Sequence, residues 1–121
     1  MSKNLNITLL ADFYGNFLTD KQREVIEMYY NDDLSLAEIA QHTGISRQGV
    51  RDSIKRGEQT LLDAEEKLHL SQKFLNFQKA RSSISKNIDN IVKLCESGVL
   101  NRDEILKCAN KISVQMSKLE D

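Results

Sequence analysis

The chain has 121 residues, no proline, 40% hydrophobic and 29% charged residues, and a formal net charge of -1. This fits one globular domain, or one domain plus a helical extension, and excludes binding of polyanions by the whole surface while leaving room for a local basic patch. No apolar run is long enough to span a bilayer, MSKNLNITLLADFYG lacks a signal-peptide pattern, and Cys95 and Cys108 make neither a disulfide framework nor a metal set, so a reducing cytoplasm is the expected setting.

The first expected element is a helix over residues 4–14, NLNITLLADFY, with an apolar stripe of Leu5, Ile7, Leu9, Leu10, Phe13 and Tyr14 that ends at Gly15. Thr19-x-x-Gln22 opens a second helix carrying Val25, Ile26, Met28, Tyr29 and Tyr30, closed by the polar turn Asn31–Asp33. These two helices supply the support against which the next pair packs, since two short helices alone bury no core.

Residues 34–56, LSLAEIAQHTGISRQGVRDSIKR, organise the rest. Ser35 with Glu38 forms an S-x-x-E capping box, and Leu34 with Ile39 a hydrophobic staple. Gly44 falls where the first helix must stop and the backbone reverse, a position that favours a left-handed residue. Ser46 then caps a second helix, with Ile45 and Val50 as its staple. Ala40 permits a close crossing, and Leu36, Ile39, Ile45, Val50 and Ile54 form the apolar wedge between the pair. Two short helices locked at a steep angle, the second with a polar outer face, form a helix-turn-helix. On that face Arg47, Arg51 and Lys55 are four apart, with Gln48 and Arg56 beside them, and only Asp52 opposes them. Arg and Gln pair with base edges, and Lys and Arg with phosphate, so Arg47, Gln48, Arg51, Lys55 and Arg56 are the candidate nucleic-acid contacts. The bland alternative is a soluble helix face. The coincidence of the basic stripe with the exposed face of the motif favours binding, although Gly49 lowers helix stability there.

The helix continues through GEQTLLDAEEKLHL, weakened at Gly57, and the acidic stretch Asp63–Glu66 reads as a solvated face. This ends the expected phosphate contacts of this helix at about residue 56. From Leu70 a second pattern begins: Phe74, Phe77, Ile84, Ile88, Ile91 and Cys95 repeat by threes and fours, broken by Arg81, and nothing interrupts the helix before Gly98. Asn101-x-x-Glu104 caps a last helix with a seam at Ile105, Cys108 or Ala109, Ile112, Met116 and Leu119. The expected architecture is therefore all-α, with a helix-turn-helix domain over 1–68 and a helical extension over 69–121. The heptads over Phe74, Phe77, Ile84, Ile88 and Ile91 suit either packing back on the N-terminal domain or pairing two chains. Pairing would hold two recognition helices roughly 34 Å apart. Between Lys73 and Lys93 five basic residues face only Asp89. Either this is a solvated helix face, the usual meaning of such a run, or it is a second polyanion contact.

Catalytic signals are absent: no phosphate-binding glycine loop, no metal-ligand spacing and no nucleophile motif. His42 and His69 are far apart in context, and Cys95 and Cys108 fall on apolar seams, where cysteine behaves as a small buried hydrophobe. The expectation is a non-enzyme without metal or cofactor.

Residues 18–56 resemble the promoter-reading C-terminal region of bacterial sigma factors. The resemblance covers about a third of the chain and lies in LTDKQREV, SLAEIA and GISRQGV. It departs after Val50, where Ser53 stands at the usual core position and the aliphatic is delayed to Ile54. Over nearly the whole length, including IKRGEQTLLDAEEKL and the helical tail, the chain is similar to the YlxM family of small helix-turn-helix proteins of Gram-positive bacteria. Genes of that family commonly lie beside those for the signal recognition particle GTPase and its receptor. The resemblance implies a regulator in the signal recognition particle pathway, with duplex DNA, the particle's RNA or its proteins as partners. Groove geometry favours DNA, since the major groove of RNA is deep and narrow. The alternative is a non-catalytic scaffold of that pathway in which the fold is kept and the tail does the work, as the near-neutral charge suggests. A basic patch on residues 46–56 favours nucleic acid, and a patch cancelled by Asp52 and Glu58 favours the scaffold.

Overall fold

Four polar residues at helix starts organise the chain. In the computed structural model, which describes residues 3–120, Thr19, Ser35, Ser46 and Asn101 each accept a hydrogen bond from the backbone N–H three residues on. At Thr19 and Ser35 the box is reciprocal, with Gln22 and Glu38 accepting from the cap's own N–H at 3.1 Å. Met1, Ser2 and Asp121, the outer ends of the two expected segments, lie outside the described residues. The helices are α1 (Ile7–Tyr14), a 3-10 turn (Gly15–Phe17), α2 (Asp20–Tyr30), α3 (Leu36–Thr43), α4 (Arg47–Leu68), α5 (Leu70–Glu96) and α6 (Arg102–Lys118). There is no strand among the described residues, so the fold is all-α as expected. The chain divides into two compact units between Ser71 and Gln72.

In the first unit α4 is the central element, packed on α1, α2 and α3. Its buried residues Val50, Ile54, Gly57 and Leu61 recur at helical spacing, and they meet Ile7, Leu10 and Tyr14 of α1, Val25, Ile26 and Tyr29 of α2, and Ile39 of α3 in one cluster. Ile54 is fully buried and Ser53 is not, so the delayed aliphatic is the residue that reaches the core. One expectation needs correction: Leu5 is 85% exposed, because the helix starts only at Ile7. α1 ends at Gly15 as expected, and there, at φ -54°, the chain tightens into the 3-10 turn.

Gly57 proves structural. A methyl group there would lie 2.5 Å from Ile26 Cδ1, so its missing side chain lets α4 approach α2. The acidic run also divides. Asp63 and Glu66 are exposed, but Glu65 is half-buried and accepts from Tyr14 Oη at 2.6 Å, from the Ser71 N–H at 3.1 Å and from Ser71 Oγ. Tyr14 Oη in turn accepts from the Leu70 N–H at 2.9 Å. Two first-turn donors of α5 thus find acceptors, just past His69, which joins α4 to α5 in the left-handed conformation at φ 56°.

In the second unit α5 and α6 lie side by side in opposite directions. Asn76, Lys79 and Ala80 adjoin Gln115, Lys118 and Leu119, and Ser83 adjoins Asn110, Lys111 and Val114. The inward stripe of α5 is Ala80, Ile84, Asn87, Ile91 and Leu94, with Ala80 and Asn87 buried and the others half-buried. Of the seam expected from the sequence, Ile84 and Ile91 belong to this stripe, whereas Phe74, Phe77, Ile88 and Cys95 are exposed. Threes and fours fit both registers, and the smaller Ala80 and Asn87 admit a neighbouring helix where phenylalanine would hold it off. Asn87 satisfies its amide on Ser83 O at 2.8 Å. On α6 Cys108 is buried as expected, and Gln115 replaces the exposed Met116 in the stripe.

Candidate nucleic-acid interface

The turn between α3 and α4 is set by three adjacent residues. Gly44 has φ +76°, in the left-handed region, and its N–H bonds Ala40 O, which closes α3. Ile45 is half-buried, and Ser46 Oγ accepts from the Gly49 N–H at 3.0 Å to start α4. With Val50 and Ile54 turned into the core, the residues between them must face outward. Arg47, Gln48, Arg51, Lys55 and Arg56 are all exposed. At roughly 100° per residue, Arg47, Arg51 and Lys55 form a slanting row on one flank of the outer face, and Arg56 stands on the other.

Between the flanks lie Gln48 and Asp52, joined by a hydrogen bond from Gln48 Nε2 to Asp52 Oδ1 at 3.0 Å. Neither acid near the row neutralises it through an ion pair. Asp52 is engaged by Gln48, and Glu58 is turned to the Tyr30 hydroxyl, which donates to its Oε1 at 2.5 Å. The salt bridges among the described residues are Lys3–Asp33, Arg23–Glu27 and Lys107–Glu104, so none involves the four cations of this face. Residues 1–71 hold twelve Asp and Glu against eight Lys and Arg, and four of those eight lie between Arg47 and Arg56. The overall charge therefore conceals a segregated basic face. An array of unpaired guanidinium and ammonium groups on a convex helix can take up phosphates and reach base edges.

The chain matches, over residues 1–99, the family model described as "UPF0122: Putative helix-turn-helix protein, YlxM / p13 like". It belongs to this family. Among its relatives, the UPF0122 protein of Clostridium kluyveri is 42% identical over 102 residues, 84% of this chain and 92% of that one. The UPF0122 protein of Acetivibrio thermocellus is 50% identical over 91 residues, 75% of this chain and 78% of that one. The relative in Thermoanaerobacter sp. strain X514 is 46% identical over 116 residues, 95% and 94% of the two chains. The UPF0122 family is a helix-turn-helix family. No group of His, Cys, Asp and Glu able to hold a metal occurs among the described residues, and no described helix is long and apolar enough to cross a membrane.

Sequence reasoning missed the residues that support this face. The Tyr30 hydroxyl donates to Glu58, Gly57 seats α4 on α2, and Glu65 closes the far end of α4. Only Gly57 left a trace in the sequence, as a glycine tolerated in the middle of a long helix.

Proposed function

We propose that this UPF0122 chain is a cytoplasmic, non-catalytic regulator that binds nucleic acid through α4, with Arg47, Gln48, Arg51, Lys55 and Arg56 as its contacts. The observation that carries this reading is the row of exposed cations on the second helix of a helix-turn-helix, with Glu58 turned away to Tyr30 and Asp52 bonded to Gln48 within the face rather than ion-paired to a cation. Duplex DNA is the favoured ligand, because a helix with this outer face fits the major groove of B-form DNA. The family resemblance connects the chain to the signal recognition particle pathway, whose RNA is the second candidate ligand.

The test is binding of the full chain to a random DNA duplex and to the particle's RNA across a salt series. Arg51→Ala should weaken binding and reduce the slope of log K against log salt by about one. Equal affinity and slope for Arg51→Ala and the parent would refute the assignment. The better ligand of the two decides between transcriptional regulator and component of the particle.

A second reading, a protein-interaction scaffold, is favoured by one observation. Phe77, Ile88, Val92 and Met116 are each between 47% and 52% exposed, and helical spacing puts them on one flank of the α5–α6 hairpin. Two copies pair through this flank, with Phe74, Phe77 and Ile88 at the contact and Ile84 and Ile91 behind it. Sedimentation should give a dimer at micromolar concentration and a monomer for Ile88→Glu. A monomeric parent protein would remove the pairing.

A further inference from the structure

The flank of the α5–α6 hairpin opposite Phe77 and Ile88 has a different chemistry. On α5 Lys79, Lys86 and Lys93 are seven apart and recur about every 10 Å along the helix. On α6 Lys111 and Lys118 have the same spacing. Lys79 and Lys118 line one groove with Asn76 and Gln115, and Lys111 lines its continuation with Ser83. All five lysines are exposed, and none is in an ion pair among the described residues. Glu104 is the acid on this flank, beyond the groove, and lies 4.0 Å from Lys107. Asp89 adjoins Lys86 on the back of α5, where the two share a shallow depression with Arg81 and Ser85, so the lysines of the groove itself are Lys79, Lys111 and Lys118. Residues 72–121 carry nine Lys and Arg against six Asp and Glu, the reverse of the acidic balance in residues 1–71.

We infer that this groove is a second binding site, for the phosphate backbone of a nucleic acid duplex. Lys79 on one side and Lys111 and Lys118 on the other, with Asn76, Ser83, Asn110 and Gln115 between them, supply point charges and neutral hydrogen-bond donors, which is what a phosphate row requires. The groove has no aromatic residue on which an unpaired base could stack, which favours a duplex over a splayed single strand. Lysine makes no bidentate fork, so the site holds backbone without reading sequence. It adds affinity and salt dependence, and leaves sequence choice to α4.

The test uses the full chain, a random 20-base-pair duplex and four proteins: the parent, an α4 variant (Arg47→Ala, Arg51→Ala, Lys55→Ala), a groove variant (Lys79→Gln, Lys111→Gln, Lys118→Gln) and the same three lysines changed to Arg. The groove variant should lose about 2.7 units of the slope of log K against log salt, three phosphate contacts at about 0.9 each, and bind about 100-fold to 1000-fold more weakly at 0.1 M salt. The arginine version should restore both, which separates charge from folding. A groove variant that binds like the parent, while the α4 variant fails, overturns this site and leaves the function of α4 standing. The opposite pattern supports the groove and overturns α4 as the reader. No duplex binding by the parent overturns both, as does binding only to phosphatidylserine vesicles.

Discussion

Glu65 is the residue on which the packing argument makes its sharpest demand. Taken as part of a solvated acidic run beside Asp63 and Glu66, it would be replaced by alanine at no cost, with a small gain from relieved repulsion and better helix propensity. The structure reverses that expectation. The carboxylate accepts from Tyr14 Oη, the Ser71 N–H and Ser71 Oγ, and Ser71 is only 7% exposed. A hydrogen bond to a charged acceptor contributes about 1.5–3 kcal/mol, and donors left without an acceptor add a desolvation cost. The three bonds share one acceptor group and are not additive, and Glu65 is half-buried, so water can replace part of the loss. Glu65→Ala should therefore destabilise by about 3 kcal/mol, or roughly 10 °C in Tm for a chain of this size. Glu65→Gln keeps an acceptor for Tyr14 and the Ser71 N–H, and its amide can donate to Ser71 Oγ, so it should cost about 1 kcal/mol. Urea unfolding followed by circular dichroism, with thermal melts alongside, measures both. The reasoning is refuted if Glu65→Ala is as stable as the parent, or if Gln and Ala cost the same.

Gly57→Ala sets a helix gain of about 1 kcal/mol against the clash with Ile26, a core residue 2% exposed, and overpacking of about 1–3 kcal/mol should win. A raised denaturation midpoint would show that Ile26 moves aside freely. Gly44→Ala meets no neighbour but forces a left-handed alanine, so it should cost about 1–2 kcal/mol from conformation alone. Gly44→Asn, by the same measurement, should cost less. Burial first, then the Glu58 carboxylate, pushes the Tyr30 hydroxyl up to about 12, and burial likewise raises Tyr14. A raised tyrosine value means the fold favours the neutral form. That stability is whole below pH 10 and is lost as pH climbs through about 12. Tyrosinate absorbance against pH should show a component titrating late, and Tyr30→Phe should reduce it, leaving the part due to Tyr14. The Ser35 backbone N–H and hydroxyl hold Glu38 below its ordinary carboxylate range, so its contribution is present above pH 4.5 and fades as acid protonates it. Protection factors of the first amides of α3, corrected for the intrinsic pH dependence of exchange, should fall on acidification, and unchanged protection would refute this.

Much of the first unit was legible because its signals are local. A capping box spans four residues, a left-handed glycine one, and the stripe Val50, Ile54, Leu61 follows from helical period, so no distant partner is needed to read them. The five candidate contacts were legible for the same reason: once Val50 and Ile54 face the core, the pitch of the helix turns Arg47, Arg51 and Lys55 outward. What these cations meet was not legible. Asp52 and Glu58 lie close in sequence, and only the fold assigns them to Gln48 and to a tyrosine 28 residues away.

The tail shows the limit most clearly. Its sequence determines a long helix, a break at Gly98 and a second helix capped by Asn101, because each is a short-range property of the backbone. Two overlapping stripes of threes and fours were available on α5, one through Phe77 and Ile88 and one through Ala80 and Asn87. Hydrophobicity favours the first, and the burial of Ala80 and Asn87 beside α6 selects the second, since helix packing depends on the shape of both surfaces as well as on their transfer energy. That choice leaves one flank apolar and the other lined with lysine. Sequence determined the helices and their caps, and tertiary structure decided which side of each is left for a partner.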